Sequence, residues 1–417
     1  MMDVMADDPK RDSVLETVDA MRRAMVLALV DVCSIPAVCP QSGGEGELRK
    51  LEWLQEHIRN FGFDEFTRYD AVDEERPTIV RPNLVAVRHG EHRDGPTLWF
   101  VTHVDVVPEG DRSLWESDPW KPVVREDKVV GRGVEDNGTP LIASIYAVKA
   151  LSDVGVRQGL NVGCALVADE EMGSKYGIQH LLEKGVFRKG DLIVVPDAGL
   201  PKGDSIEIAE KSILWLKFKV EGKQGHASMP HTAKNALEAG VELAYRVNKD
   251  LKSAMTERDE LFDPPHSTFE LTMKVANVAN INTIPGEDIF FMDCRVLPER
   301  STDEVLDTVR KVMKQVGDKY GTTIHLSLVQ NERAAPRTDP DSRVVRLLME
   351  QVRQVLNVEP RVYGIGGGTC AAYFRKQGFD AAVWAKIDEV AHSANEYTWI
   401  QNIVDMAKVF ALMMLRA

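Results

Sequence analysis

Positive charge is in short supply in this chain: 51 Lys and Arg stand against 65 Asp and Glu in 417 residues, a formal net charge of −14. Such a field repels phosphate, so nucleic acid and anionic membrane surfaces are not expected as partners. Cysteine is scarcer still. Cys33, Cys39, Cys164, Cys294 and Cys370 are odd in number, scattered and without a C-x-x-C pair, which argues against a disulfide framework and for reduced thiols in a cytoplasmic protein. Long apolar runs are also missing. The best, residues 25–32, is too short to span a bilayer, and acidic residues precede it where a secretory leader carries basic ones. The sequence has no internal repeat and no low-complexity stretch. What is present is the composition of a soluble globular protein, 44% hydrophobic and 28% charged, at a length that suits two domains and with a small molecule as the expected substrate.

Residues 96–108 organise the rest. They form an apolar run, bounded by Gly95 and Pro108, that reads as a buried parallel strand. His103 and Asp105 interrupt it at i, i+2 spacing, hence on one face, near the carboxyl end where open α/β sheets bind ligands. Asp136 follows in the glycine-flanked turn Gly131-Arg-Gly-Val-Glu-Asp-Asn-Gly138, ahead of a helical pattern over 139–151. Around this stretch, helices are expected at 15–34, 48–62 and 176–182, and strands at 83–88, 161–168 and 191–195. That alternation predicts an α/β fold, a mostly parallel sheet with helices on both faces.

From about residue 212 the pattern becomes βαββαβ, with strands at 213–220, 268–275, 288–296 and 323–329 and helices at 236–247 and 302–316. This is the order of a ferredoxin-like α+β unit. A helix (344–356), a strand (381–385) and a terminal helix (400–415) then resume the first pattern. The expected organisation is a catalytic domain in two segments, 1–211 and 331–417, interrupted by an inserted domain at 212–330.

Polar residues gather at the ends of the expected strands. Strand 161–168 runs into Asp169-Glu170-Glu171, strand 191–195 into Pro196-Asp197, and strand 381–385 into a polar loop, 388–396, that carries His392. Imidazole and carboxylate without thiolate suit zinc, cobalt or manganese. Singly, each feature has a plainer reading: a satisfied core histidine, a solvated glutamate pair, an aspartate serving a turn. Convergence on one edge of one sheet favours a site.

The ordered series T-H-x-D, G-R-G-x-x-D, D-E-E-x-G-S, P-D-A and a late loop histidine resembles the dinuclear zinc aminoacylase and carboxypeptidase family, over nearly the whole chain. That family includes succinyl-diaminopimelate desuccinylase, acetylornithine deacetylase and glutamate carboxypeptidase. The resemblance implies two divalent ions per subunit, zinc with cobalt or manganese as alternatives. His103 and Asp197 would serve one ion, Glu171 and His392 the other, and Asp136 both. It further implies a cis peptide between Asp136 and Asn137, Asp105 orienting His103, and Glu170 as general base.

In the inserted domain, Gly225-His226-Ala-Ser resembles the family's lid motif, in which the histidine stabilises an oxyanion, often from the partner subunit of a homodimer joined through that domain. Asn282 and Arg295 resemble lid residues that bind substrate, with Arg295 on a carboxylate, although Arg295 also reads as half of an ion pair. Gly366, Gly367, Gly368 and Thr369 match a loop that meets the substrate carboxylate. The implied activity is hydrolysis of an N-acyl amino acid or short peptide. Two rivals differ in class: a nucleotide-binding protein using residues 364–369, and an inactive binding protein on the same fold.

Overall fold

The central sheet runs in the order Glu65–Arg68, Leu84–Arg88, Asn161–Val167, Thr97–His103, Leu192–Gly199, Ala381–Ala385, Ser205–Glu210, Arg361–Ile365. In this computed structural model, which describes residues 9–417, residues 1–8 of the expected first segment lie outside the described residues. The four middle strands of the sheet are parallel. Antiparallel neighbours flank them on both sides, so the sheet is mixed around a parallel centre.

Adjacent residues show its two faces. Trp99 meets Phe187 with ring centroids 5.0 Å apart, on the side covered by the helices Ile178–Glu183 and Ala371–Lys376. Phe100 meets Phe410 of the Ile400–Arg416 helix at 4.9 Å, on the side shared with the Thr139–Val154 helix.

Several expectations shift. The strand expected over 96–108 ends at His103; Val104 then donates its N–H to Val167 and Val106 to Ala37, so Asp105 lies beyond the strand. Asp197, expected just past a strand, lies inside Leu192–Gly199. The helix expected over 15–34 is two, Pro9–Ala20 and Arg22–Cys33, divided at Met21 where ψ is −2°. Ser205–Glu210 escapes a pattern reading because Glu207 looks like surface. It is buried, and the Arg375 guanidinium donates to it at 2.8 Å.

Contacts divide the chain into two units. One runs to Ile208 and resumes as Thr338–Val362 and Thr369–Ala417; the other is Ala209–Arg337 with Tyr363–Gly368. The Tyr363–Gly368 piece falls within the 331–417 segment assigned to the catalytic domain. It groups with the second unit because Gly364 donates to the Leu261 carbonyl at 2.7 Å and Ile365 accepts from Lys211 at 3.0 Å.

The second unit's sheet orders its strands Thr268–Lys274, Glu287–Val296, Ser212–Glu221, Thr323–Glu332, all antiparallel, which is the ferredoxin-like order. Leu214, Leu216, Phe218 and Val220 alternate into its core, beneath the helices Ala236–Ala254 and Thr302–Tyr320. Both helices start at side-chain caps, Asn235 on the first and the Ser301/Glu304 capping box on the second.

Candidate metal centre

The four parallel strands lead to a site residue each: His103 ends its strand, Asp197 lies near the end of its own, and Glu171 and His392 sit in the segments that follow theirs. Asp136 comes from the turn ahead of the Thr139–Val154 helix, across a cis Asp136–Asn137 peptide. Its two oxygens face two imidazoles, Oδ1 at 2.9 Å from His103 Nε2 and Oδ2 at 3.0 Å from His392 Nε2. Asp197 Oδ1 stands 3.3 Å from His103 Nε2, and Glu171 lies 3.2 Å from His392 Nε2. The site has a closed side and an open one. The His103 side chain is 2% exposed and that of His392 is 55%.

Donor chemistry decides what such a cluster can hold. Donor atoms of His103, Asp136 and Glu171 lie within 4.8 Å of one another, as do those of His103, Glu170 and Asp197. Ionised carboxylates only accept, so crowding them favours positive charge among them, and imidazole nitrogen with carboxylate oxygen suits a borderline divalent ion. The residues fit. Their protonation carries the same signature. Hydrogen bonds to Asp136 and Glu171 push the His392 imidazole up to about 10. Burial opposes charge on His103, but the carboxylates of Asp105, Asp136 and Asp197 outweigh it and hold that ring well above its ordinary range. Burial, with repulsion from Asp136, raises Glu171 to about 7, and burial beside Asp197 takes Glu170 well above the usual range.

Asp105 reaches His103 chiefly through its backbone carbonyl, which meets Nδ1 at 3.0 Å, while the nearer carboxylate oxygen stands at 3.6 Å. An Nδ1–H donated to that carbonyl leaves the neutral ring's lone pair on Nε2, toward Asp136 and Asp197. The Asp105 carboxylate accepts the backbone N–H groups of Glu170 at 3.1 Å and Glu171 at 3.0 Å, fixing the turn that presents both.

Other buried groups near the site were not read from the sequence. Arg81, fully buried, donates to Glu47 at 2.6 Å and to Asp169 at 2.9 Å, and Asp169 in turn accepts the Tyr176 N–H at 3.0 Å. Asn137 donates its amide to the Pro196 carbonyl at 2.8 Å and to Asp197 at 2.9 Å. The available signal was a second carboxylate beside two of the site residues, Glu135 before the expected ligand Asp136 and Asp169 before the expected base Glu170.

In the second unit, His226 Nδ1 accepts the Ser228 N–H at 3.1 Å, so the neutral ring carries its proton on Nε2. Exposed Asn282 accepts the Ala227 N–H through its backbone carbonyl. Arg295 forms a two-pronged ion pair with Asp293, at 2.7 and 2.9 Å, and donates to the Gly366 carbonyl at 2.8 Å. Gly367 and Gly368 continue that loop, and Thr369 Oγ1 accepts the Ala371 N–H at 3.2 Å at the start of a six-residue helix. The glycines follow a strand at the sheet's edge and precede a short helix, which is not the βαβ setting of a dinucleotide loop.

Comparison with known proteins decides the family. The model of peptidase family M20/M25/M40 matches residues 99–416. The chain belongs to that family. It is therefore a metal-dependent hydrolase acting on amide bonds. It is 36% identical over 398 residues to an uncharacterized metallohydrolase of Methanocaldococcus jannaschii, covering 91% of this chain and 96% of the relative. It is 30% identical over 325 residues to a succinyl-diaminopimelate desuccinylase of Sulfurovum, covering 76% of this chain and 83% of the relative. In fold it is similar to human carnosine dipeptidase 1, with a TM-score of 0.76 at 19% identity over 97% of this chain and 98% of the other.

Proposed function

We propose that this M20/M25/M40 member hydrolyses the amide bond of an N-acyl amino acid or short peptide with a free carboxylate, using two divalent ions and Glu170 as the proton carrier. The observation that carries this reading is Asp136, whose two oxygens address two imidazoles on either side of it. His103 and Asp197 would hold one ion, Glu171 and His392 the other, and Asp136 both. When bound, the ions polarise the scissile carbonyl and lower the pKa of a water; zinc suits the donors, with cobalt or manganese as alternatives.

Glu170, on the turn that Asp105 fixes, takes the proton from the attacking water and returns it to the leaving nitrogen. His226, with its proton on Nε2, donates to the developing oxyanion. Three of the five Arg295 donors are engaged by Asp293 and Gly366, which leaves two for a substrate carboxylate, alongside Asn282 and the Gly367–Gly368–Thr369 backbone.

The names of its relatives, desuccinylase and dipeptidase, mark the substrate range to try. A homodimer through the inserted domain is part of the proposal. Its support is the edge strand Thr268–Lys274, which leaves Leu271 and Met273 exposed beside Val241 and Tyr245 of the neighbouring helix. The setting we propose is cytoplasmic. All five thiols are free and buried, and no helix among the described residues is long and apolar enough to cross a membrane.

The test is a panel of N-acetyl amino acids, N-succinyl amino acids and dipeptides, each assayed with zinc, cobalt or manganese. Turnover of one class that disappears with its amidated, uncharged counterpart supports the reading. Turnover indifferent to the carboxylate removes that part of it.

A further inference from the structure

The turn that carries Asp136 and the loop that carries His392 hold each other through exchanged glutamates. Glu135, the residue before Asp136, accepts the backbone N–H of Asp388 through Oε1 and that of Val390 through Oε2, both at 2.7 Å. Glu396, four residues beyond His392, returns the grip. Its Oε1 accepts the N–H groups of Glu135 at 2.9 Å and Asp136 at 3.1 Å, and its Oε2 accepts from Gly133 N–H at 3.0 Å and from the Arg132 guanidinium at 2.6 Å. Glu135 is 2% exposed and Glu396 0%, although His392 opens to solvent.

Burying two carboxylates is costly unless each oxygen is satisfied, and here all four oxygens are. What they secure is a loop that does not favour its own shape. Glu389, His392 and Asn395 all take left-handed backbone, with φ of 57°, 61° and 58°. Side chains carrying a Cβ rarely sit there, and they persist only where the surroundings over-determine them. The far end of the loop is tied as well, since the Asp388 carboxylate accepts from Tyr397 Oη at 2.8 Å and Trp399 Nε1 at 2.7 Å.

We infer that Glu135 and Glu396 are positioning residues with separable effects on the two ions, Glu135 fixing His392 and Glu396 fixing Asp136. The asymmetry follows from the contacts. Among the described residues the Glu135 carboxylate accepts from Asp388 and Val390 of the His392 loop, so it governs one ion. Glu396 holds the backbone N–H of Asp136, whose carboxylate faces both imidazoles, so it governs both. This inference rests on the ligand assignment proposed above, and the control below separates the two.

The test uses zinc titrated into the full chain against a competing chelator, together with backbone hydrogen exchange. Glutamine offers one acceptor oxygen where glutamate offers two, so Glu135→Gln releases one of the two loop N–H groups. The expected result is faster exchange at Asp388 or Val390, a Kd for one zinc raised about 10–100-fold, and the other zinc unchanged. Glu396→Gln raises both Kd values. His392→Ala is the control, expected to lose the same single ion as Glu135→Gln. If His392→Ala leaves both ions at full affinity, the ligand assignment fails. If His392→Ala loses one ion while Glu135→Gln, with its loop exchange accelerated, keeps both or weakens both alike, the positioning roles are overturned. Glu135→Asp, which keeps the charge and retracts it by one methylene, gives the same one-ion pattern at smaller amplitude and takes over as the decisive variant if Glu135→Gln does not fold.

Discussion

Glu170 and Glu171 are adjacent in sequence and held by the same Asp105 carboxylate, yet the proposal gives them different chemistry. Glu170→Ala is expected to keep two ions per chain while turnover falls by roughly 10²–10⁴-fold, the range of general acid–base catalysis. Glu171→Ala is expected to lose one ion and to recover partly with added metal. Counting ions and turnover in both variants checks this, and an active Glu170→Ala beside a two-ion Glu171→Ala would reverse the roles. Protonation offers a second check. A ligand imidazole must be neutral, and Asp136 and Glu171 hold the His392 proton up to about 10, so cation uptake below that pH displaces it. Calorimetry in buffers of different ionisation enthalpy is expected to show proton release on zinc binding at pH 7, with apparent affinity falling as pH drops from 8 to 6. Uptake without proton release would remove His392 from the ligand set.

At the scale of elements, the parallel centre of the sheet was legible because its strands are buried on both faces and read as apolar runs, as in Thr97–His103 and Ala381–Ala385. Polar residues at their carboxyl ends were legible for the same reason: they break the runs. Ser205–Glu210 was not, because its Glu207 is neutralised by Arg375, which lies 168 residues away in sequence. The anchoring of the site was equally hidden. Asp105, Glu135 and Glu396 act mainly on backbone N–H groups of distant segments, and sequence pattern carries no record of which N–H a carboxylate will meet. The Glu207–Arg375 pair yields a prediction of its own. Both side chains are at most 1% exposed, so Arg375→Met takes the guanidinium from a buried carboxylate and is expected to cost about 3–5 kcal/mol in denaturant unfolding. A loss under 1 kcal/mol would mean that this pair does not hold the strand.

For the whole molecule, the proposed dimer makes a claim about the second unit alone. Tyr245 is 64% exposed and Met273 53%, both beside a cavity of about 440 Å³ between the Ala236–Ala254 helix and the edge strand. Tyr245→Glu combined with Met273→Glu is expected to convert a dimer to a monomer in sedimentation while leaving both ions bound. An unchanged mass would place the contact on another face. The central claim, hydrolysis that depends on two ions held by five residues of this chain, is tested most directly by titrating zinc into the metal-free protein and following turnover of the best panel substrate against ions bound per chain. The expected curve stays near zero without metal and reaches its plateau at two ions. Full turnover with no metal bound, or a plateau untouched by His103→Ala and His392→Ala, would contradict it.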